Sequence, residues 1–371
     1  MDYNQENNVY MDDLAPQDMP VPPAGRYEPV RKKSFFARHR GLIIFLIILA
    51  VILGIAYAAA DSLRSGGLKA DGDTILLGTG DTLDLSEDYI GQLTVEGTIA
   101  ESVSGNMLTG TSSYYHEWTL DMIDQMMADQ ENKALLLYVN SPGGTIYASD
   151  ELYLKLKEYK ETTGRPVYSY MASEAASGGY YISAAADRII ANRNCWTGSI
   201  GVTIGTLYDV SELLDKLGVS TVTITSGRNK AMGSTTDPMT KEQREIFQSL
   251  VDEAYDQFVG IVAEGRHMKE RKVRKLADGR IYTAKQALEN GLIDQIASYE
   301  EATAEIQRQV RSSAAVKSIE HKSDDGFLSS ILMGAFGTQA QPEALSTYDV
   351  VKALLRENNT FTVTYLSNIR H

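Results

Sequence analysis

The chain is predicted to be an α/β protein built around a parallel sheet, preceded by one N-terminal transmembrane helix. Ala134–Val139 (ALLLYV) is a short, uninterrupted apolar run, which is typical of a strand buried on both faces. Strand and helix patterns alternate after it, and this alternation predicts βαβ units with right-handed crossovers. Ahead of this region, residues 41–60 carry no charged side chain.

Short apolar runs predict the strands, and apolar positions repeated every three to four residues predict the helices. The predicted strands are Thr74–Leu77, Gln92–Ile99, Ala134–Val139, Pro166–Met171, Arg188–Ala191, Ser220–Ile224 and Leu292–Ile296. The predicted helices are Tyr115–Asp129, Thr145–Tyr159, Ser177–Ala186, Val210–Leu217, Lys241–Glu264, Lys269–Leu276 and Thr283–Asn290. From about residue 311 onward we expect polar, irregular chain, apart from Phe327–Phe336 and a helix at Ser346–Arg356.

Residues 41–60 have the length of a membrane span. At ~1.5 Å per residue, a helix of this length covers roughly 30 Å, the thickness of the hydrocarbon core of a bilayer. Lysine and arginine are concentrated before the span, at residues 26–40, whereas the charges that follow it nearly balance. The positive-inside rule therefore places residues 1–40 in the cytoplasm and the rest outside. The AYAAADS stretch resembles a signal-peptidase site, but the full-length apolar run favours a retained anchor.

The sequence divides into five regions. Residues 1–40 are polar, contain several prolines and lack periodicity, so we expect a disordered cytoplasmic tail. The anchor at 41–60 is followed by a spacer at 61–87 that is rich in Gly, Asp and Thr. One folded domain is predicted over 88–300, and residues 301–371 are expected to form a helical or irregular C-terminal tail.

Composition argues against several classes of protein. The net charge of −14 disfavours a nucleic-acid partner, because phosphate binding needs a concentrated basic surface. Cys195 is the single cysteine, which excludes an internal disulfide framework and a cysteine-based zinc site. No metal or other cofactor is predicted.

The first glycine-rich junction is NSPGG at 140–144, between the buried strand and the next helix. Glycines there let backbone N–H groups turn toward a bound oxygen, as an oxyanion hole requires. The same residues also suit an ordinary tight turn in which Asn140 or Ser141 caps the helix. This motif alone does not separate the two interpretations.

The second glycine-rich junction is AASGG at 175–179, again between a strand and a helix. Ser177 would lie at a helix N-terminus, where free N–H groups and the helix dipole favour negative charge. That environment suits a nucleophile, and it suits an ordinary N-cap equally well. The segment does not match the G-x-S-x-G elbow.

A serine nucleophile needs a base, and the chain offers histidines or a lysine. The histidines are His39, His116, His267, His321 and His371. His39 lies on the cytoplasmic side of the predicted span, and His116 and His267 remain candidates although neither lies in a glycine-marked loop. Lys230, within SGRNKAMGS at 226–234, directly follows a predicted strand. A lysine in a polar loop is ordinarily solvated, and it acts as a base only where desolvation makes it neutral.

Four segments together resemble the signal peptide peptidase A family in its short, single-repeat form. They are NSPGG at 140–144, AASGGYYIS at 175–183, TGSIGV at 197–202 and SGRNKAMGS at 226–234. ADGRIYTAKQALENGLIDQI at 277–296 is similar to the C-terminal segment of that family. The resemblance covers about residues 90–300 and implies a Clp protease/crotonase-like fold, a spiral of ββα units.

The resemblance also implies roles for individual residues. By position, Ser177 matches the nucleophile and Lys230 the general base that takes its proton. Ser199 matches the serine that orients the lysine amine. The backbone N–H groups of Gly144 and Gly178 match the oxyanion hole.

The partners are likewise implied by the resemblance. Family members form dome-like rings, and the short form implies an octamer in which neighbouring subunits supply the serine and the lysine. The implied substrates are remnant signal peptides in or near the bilayer, with small or apolar side chains in the specificity pockets. Two departures concern substrate preference and loop geometry: Glu174 lies close to the nucleophile, and residues 235–239 (TTDPM) replace a Pro–Arg stretch common in the family.

Two other functions are compatible with the sequence. A crotonase-like acyl-CoA enzyme would use the same oxyanion glycines without a serine or lysine nucleophile system, but the predicted outward topology opposes it. A non-catalytic membrane scaffold is opposed by the joint presence of Ser177, Lys230 and Ser199. Labelling by a serine-reactive covalent probe separates the three possibilities.

Overall fold

The computed structural model describes residues 73–101, 114–310 and 314–322 and the backbone of 364–366. The predicted anchor at 41–60 and the predicted elements at 327–336 and 346–356 lie outside these ranges. Within them, no helix is both long enough and apolar enough to cross a membrane.

The described chain alternates strands and helices over most of its length. The strands are β1 (Thr74–Leu77), β2 (Tyr89–Glu96), β3 (Asn132–Ser141), β4 (Gly143–Thr145), β5 (Val167–Ala176), β6 (Arg188–Ala191), β7 (Trp196–Gly198), β8 (Ile281–Thr283), β9 (Gln295–Ile296), β10 (Ala315–His321) and β11 (Thr364–Leu366). The helices are α1 (His116–Ala128), α2 (Ile146–Thr163), α3 (Gly178–Ser183), α4 (Ser211–Lys216), α5 (Lys241–Gly265), α6 (Glu270–Leu276), α7 (Ala284–Asn290) and α8 (Tyr299–Val310).

The main sheet is parallel along its path, which confirms the predicted α/β class. Its strand order is β1-β10-β2-β3-β5-β6-β9, and β7 pairs in parallel with the end of β5 and antiparallel with β8. β11 forms a separate antiparallel pair with β4. The carboxyl ends of β3 and β5 are neighbours in this order, and these are the strands that lead into the two glycine-rich junctions.

β3 separates two apolar clusters, as its continuous apolar run predicts. Leu135 and Leu137 pack on one face, in the larger cluster beneath the helices that include α1, α2 and α5. Leu136 packs on the opposite face, together with Ala302 and Ile306 of α8. The close packing on both faces fixes the middle of β3 within the sheet.

The strands β4, β7, β8, β10 and β11 were not predicted from the sequence, and the strand predicted at 220–224 does not form. β10 was expected to be irregular chain, yet it lies between β1 and β2 in the sheet, with Ser318 opposite Thr74 on one side and Gln92 on the other. Residues 220–224, predicted as a strand, pair with none of the described strands. Val222 is 84% exposed and Ile224 is 93% exposed, so the alternating pattern there packs on none of the residues that the structure describes.

Residues 203–240, which we call the arm, have an unusual environment. No residue of the arm is buried, and α4 within it has no buried side chain either. Lys230 lies in the arm and is exposed. An arm of this length without a buried residue contributes little to the stability of a single subunit.

Candidate active site

Ser177 directly follows β5 and precedes α3, and its backbone has φ 54° and ψ −116°. A residue other than glycine adopts such angles at a cost of about 1–3 kcal/mol, and conformations of this kind cluster at active sites. The N–H of Ser177 donates to the carbonyl of Gly198 at 2.8 Å, and its carbonyl accepts from the N–H of Tyr181 at 2.9 Å. Ser177 is 1% exposed. The turn therefore resembles a nucleophile elbow in geometry, although its sequence does not match that motif.

Gly178 brings the two glycine-rich junctions into contact. A methyl group on Gly178 would lie 3.0 Å from the backbone nitrogen of Gly144 and 3.1 Å from the Cα of Gly143. Gly178 is also the first residue of α3, so its N–H is one of those left without a partner inside the helix. The residues predicted to form an oxyanion hole are thus close neighbours.

Gly144 is held by the backbone of Ile99. The N–H of Thr145 donates to the carbonyl of Ile99 at 2.8 Å, and the N–H of Ile99 donates to the carbonyl of Gly143 at 3.0 Å. A methyl group on Gly144 would lie 1.7 Å from that Ile99 oxygen, so only glycine fits. Because successive N–H groups of a strand point to opposite edges, the N–H of Gly144 faces the edge of β4 away from Ile99.

β11 occupies that other edge of β4. The pair is antiparallel, with Tyr365 opposite Gly144 and Leu366 opposite Gly143. β11 also lies against α2 and α3, the two helices that follow the glycine-rich junctions. A segment of backbone therefore runs beside the predicted oxyanion hole, in the extended form that a bound peptide would take.

Ser199 reaches the site through β7. Gly198, the last residue of β7, accepts the hydrogen bond from Ser177, and Ser199 is the next residue along the chain. Ser199 has φ 49°, and its N–H donates to the carbonyl of Arg280 at 2.8 Å. The structure thus brings Ser177, Gly178, Gly144 and Ser199 together within one chain.

Lys230 is the one predicted site residue that the chain does not bring to the others. Its N–H donates to the carbonyl of Gly227 at 3.0 Å, within a turn of the arm. Within the described ranges, its side chain makes no hydrogen bond or ion pair, and it is exposed to solvent.

Among the candidate histidines in the described structure, His116 bonds to groups other than Ser177 and His267 is exposed. His116 is buried, with Nδ1 2.6 Å from the Tyr114 hydroxyl and Nε2 2.9 Å from a Glu151 carboxylate oxygen. Burial acts to raise the pKa of Glu151, but the hydrogen bonds from Tyr147 and His116 outweigh it and hold that pKa below its usual value. His267 follows α5 and is exposed. Neither His116 nor His267 hydrogen-bonds to Ser177 in the part of the chain that is described.

Sequence reasoning missed the side chains that hold α3 in place. The Tyr181 hydroxyl donates to Asp150 of α2 at 2.6 Å, and the Gln257 amide of α5 donates to both, at 2.7 Å to Tyr181 and 3.1 Å to Asp150. The Tyr180 hydroxyl donates to the carbonyl of Leu292 at 2.8 Å. The sequence signal that could have indicated these contacts is the pair of tyrosines, Tyr180 and Tyr181, shortly after the candidate nucleophile, because a buried tyrosine hydroxyl usually has a hydrogen-bond partner.

The comparisons with known proteins agree with the geometry. A model of peptidase family S49 matches residues 159–313. An Enterococcus faecium protein named "Putative signal peptide peptidase SppA" is 40% identical over 299 residues, which are 79% of this chain and 85% of that protein. The chain belongs to peptidase family S49. The resemblance seen in the sequence motifs is thereby confirmed, and this S49 member is a serine peptidase.

Two longer relatives extend the comparison. Protease 4 of Haemophilus influenzae is 34% identical over 268 residues, 70% of this S49 chain and 43% of that protein. "Serine protease SPPA, chloroplastic" of Arabidopsis thaliana is 33% identical over 218 residues, 58% of this chain and 32% of that protein. Among solved structures, a mutant ClpP1 from Listeria monocytogenes is 14% identical, with a TM-score of 0.36 over 57% of this chain and 92% of that one.

Proposed function

We propose that this serine peptidase is a membrane-anchored endopeptidase with a Ser–Lys dyad that degrades remnant signal peptides and similar apolar peptides outside the cytoplasm. The observation that carries the proposal is the backbone of Ser177: a buried serine in a costly conformation, placed against Gly178 and Gly144. Strain of this kind persists only where the surrounding structure enforces it, and it favours a catalytic serine over a simple N-cap.

In the proposed mechanism, neutral Lys230 takes the proton of the Ser177 hydroxyl as that oxygen bonds to the scissile carbonyl carbon. The N–H groups of Gly144 and Gly178 donate to the resulting oxyanion. When the intermediate collapses, the C–N bond breaks and Lys230 passes its proton to the leaving amine. Water then attacks the acyl-enzyme by the same route, which releases a carboxylic acid and restores Ser177. Ser199 holds the lysine amine in the orientation that this transfer needs.

The lysine comes from a neighbouring subunit in this proposal. Support comes from the arm, in which no residue is buried and in which Val222 and Ile224 are almost fully exposed. Apolar side chains exposed in this way are typical of an interface. Packing the arm on the next subunit would bury these two side chains and desolvate Lys230. In a closed ring, an octamer by family resemblance, every subunit has a neighbour on which its arm can pack.

Peptide substrates bind in this proposal as a strand added to β4. The antiparallel pairing of β11 with β4 supports it, because that edge of β4 accepts an extended backbone beside Gly144. Main-chain hydrogen bonds of this kind tolerate many sequences, as the removal of diverse signal peptides requires. The predicted anchor at 41–60 keeps the site near the membrane, where cleaved signal peptides remain.

Labelling with a fluorophosphonate probe tests the function directly, because the probe modifies only an activated serine. We expect wild-type protein to be labelled, and peptide mapping should locate the label on Ser177. Ser177→Ala should remain unlabelled. An acyl-CoA enzyme or a non-catalytic scaffold would leave the wild-type protein unlabelled as well, and that result would end the proposal.

A further inference from the structure

Ser149, in the first turn of α2, is a buried residue that the proposed mechanism does not use. It is 0% exposed, and within the described structure its hydroxyl has no hydrogen-bond partner. A buried hydroxyl without a partner costs about 1–3 kcal/mol. A helical serine can avoid this cost by bonding to the carbonyl four residues earlier, so its place in the helix does not explain the absence of a partner.

The Ser149 hydroxyl lies close to Gly178. A methyl group on Gly178 would lie 2.6 Å from Ser149 Oγ and 3.0 Å from the backbone nitrogen of Gly144. The absence of a side chain on Gly178 therefore leaves the Ser149 hydroxyl beside both glycines that are proposed to bind the oxyanion. A serine hydroxyl can rotate, so it can direct its proton toward an acceptor that arrives there.

The geometry points to Ser149 as a third hydrogen-bond donor of the oxyanion hole, an inference that rests on the proposed function. Within the described residues the free protein offers this hydroxyl no hydrogen-bond partner, and in the tetrahedral intermediate it donates to the oxyanion beside the N–H groups of Gly144 and Gly178. A bond made in the transition state but not in the ground state raises kcat without tightening substrate binding.

Ser183 provides a matched control. It is also 0% exposed, but its hydroxyl donates to the carbonyl of Gly179 at 2.7 Å and accepts from the Ser169 hydroxyl at 2.9 Å. Removing the Ser183 hydroxyl leaves the Ser169 hydroxyl without that acceptor and should lower stability. Removing the Ser149 hydroxyl deprives no described group of a partner, so stability should stay equal or rise.

The experiment compares Ser149→Ala, Ser183→Ala and wild type in full-length protein. Four quantities are measured: Tm, the kcat and the KM for a fluorogenic peptide, and the inhibition constant of a peptide boronic acid, whose adduct with Ser177 is tetrahedral. For Ser149→Ala we expect kcat to fall about 100- to 1000-fold, the loss typical of one oxyanion donor, with little change in KM. The boronic acid should bind more weakly by a similar factor, and Tm should not fall. For Ser183→Ala we expect a lower Tm.

Two results would overturn the inference. One is a Ser149→Ala variant with the kcat and boronic acid affinity of wild type. The other is a loss of activity accompanied by a fall in Tm as large as that of Ser183→Ala, which would indicate a structural role. Fluorophosphonate labelling separates this inference from the proposed function: if wild-type Ser177 is not labelled, both fail, whereas labelling with a fully active Ser149→Ala variant removes only the third donor.

Discussion

The backbone N–H of Ser177 donates to the carbonyl of Gly198 at 2.8 Å, and this bond joins the turn of the proposed nucleophile to the segment that carries Ser199. Gly198 has φ 87°, and a methyl group on it would lie 2.5 Å from the ring of Tyr282 in β8. The position of Ser177 thus depends on β5, where it is attached, and on the β7–β8 pair, which supplies the acceptor.

Gly198→Ala should therefore reduce activity and stability together. The new methyl group meets Tyr282 and the carbonyl of Arg280, in a backbone conformation that side chains rarely adopt. Thermal unfolding and peptidase assays measure both effects. Gly260→Ala in α5 is the control, because a methyl group there has no neighbour within 4 Å and alanine favours a helix by up to about 1 kcal/mol over glycine. Equal Tm values for Gly198→Ala and wild type would show that the β7 contact is not needed.

Ser177→Ala and Lys230→Ala should each abolish peptidase activity and leave the fold intact. Loss of an activated nucleophile or its base typically costs several orders of magnitude in rate. The fold should persist because Ser177→Ala removes only a hydroxyl group and because Lys230 is exposed on the arm. Ser173→Ala and Lys216→Ala, exposed residues on the same segments, are the controls and should retain activity. Ser199→Ala should be milder, with measurable residual turnover. Wild-type activity in Ser177→Ala or Lys230→Ala would exclude the dyad.

Mixing the two inactive variants tests whether neighbouring subunits share a site. If Lys230 acts on the serine of a neighbour, hybrid rings of Ser177→Ala and Lys230→Ala subunits contain junctions where an intact serine meets an intact lysine. Partial recovery of activity is expected after co-expression. Native mass spectrometry would establish that the subunits have mixed. Mixed rings without recovery would place both groups of the dyad in one chain.

Removing β11 should increase access to the site. Deletion of residues 361–371 frees the edge of β4 beside Gly144, so kcat/KM for a peptide substrate should rise several-fold, mainly through a lower KM. Deletion of residues 367–371 retains β11 and serves as the control. An unchanged KM in the longer deletion would indicate that substrates do not use this edge of β4.

Protease accessibility tests the predicted topology. Six Lys/Arg residues at 26–40 precede the predicted span and the charges beyond it nearly balance, so residues 1–40 should lie in the cytoplasm and residues 61–371 outside. Protease added to cells stripped of their wall should degrade the catalytic domain and spare an N-terminal tag. Digestion of the tag with survival of the domain would show the opposite orientation.

The sequence by itself determined the central strands, the helices that flank them and the two glycine-rich junctions. These were predictable because each depends on residues that are close together in the sequence. A strand buried on both faces requires a continuous apolar run, as in β3, and a backbone that turns toward a bound group requires glycines, as around Ser177. The β10 strand was missed, since its short, mixed polar and apolar sequence forms a strand only between β1 and β2, which precede it by more than two hundred residues. Residues 220–224 show the reverse case, a strand pattern that pairs with none of the described strands.

Only the tertiary structure decided how the site is arranged. The backbone angles of Ser177, the contact of Gly178 with Gly144 and the buried hydroxyl of Ser149 arise from elements far apart in sequence. Hydrogen-bond pairing and close packing between such elements leave no periodic trace in the residues themselves. The same reason applies to Lys230, which the motif resemblance identifies as the candidate base although it is exposed on the arm of a single chain. A motif shows which residues are present, whereas tertiary packing determines which of them come into contact.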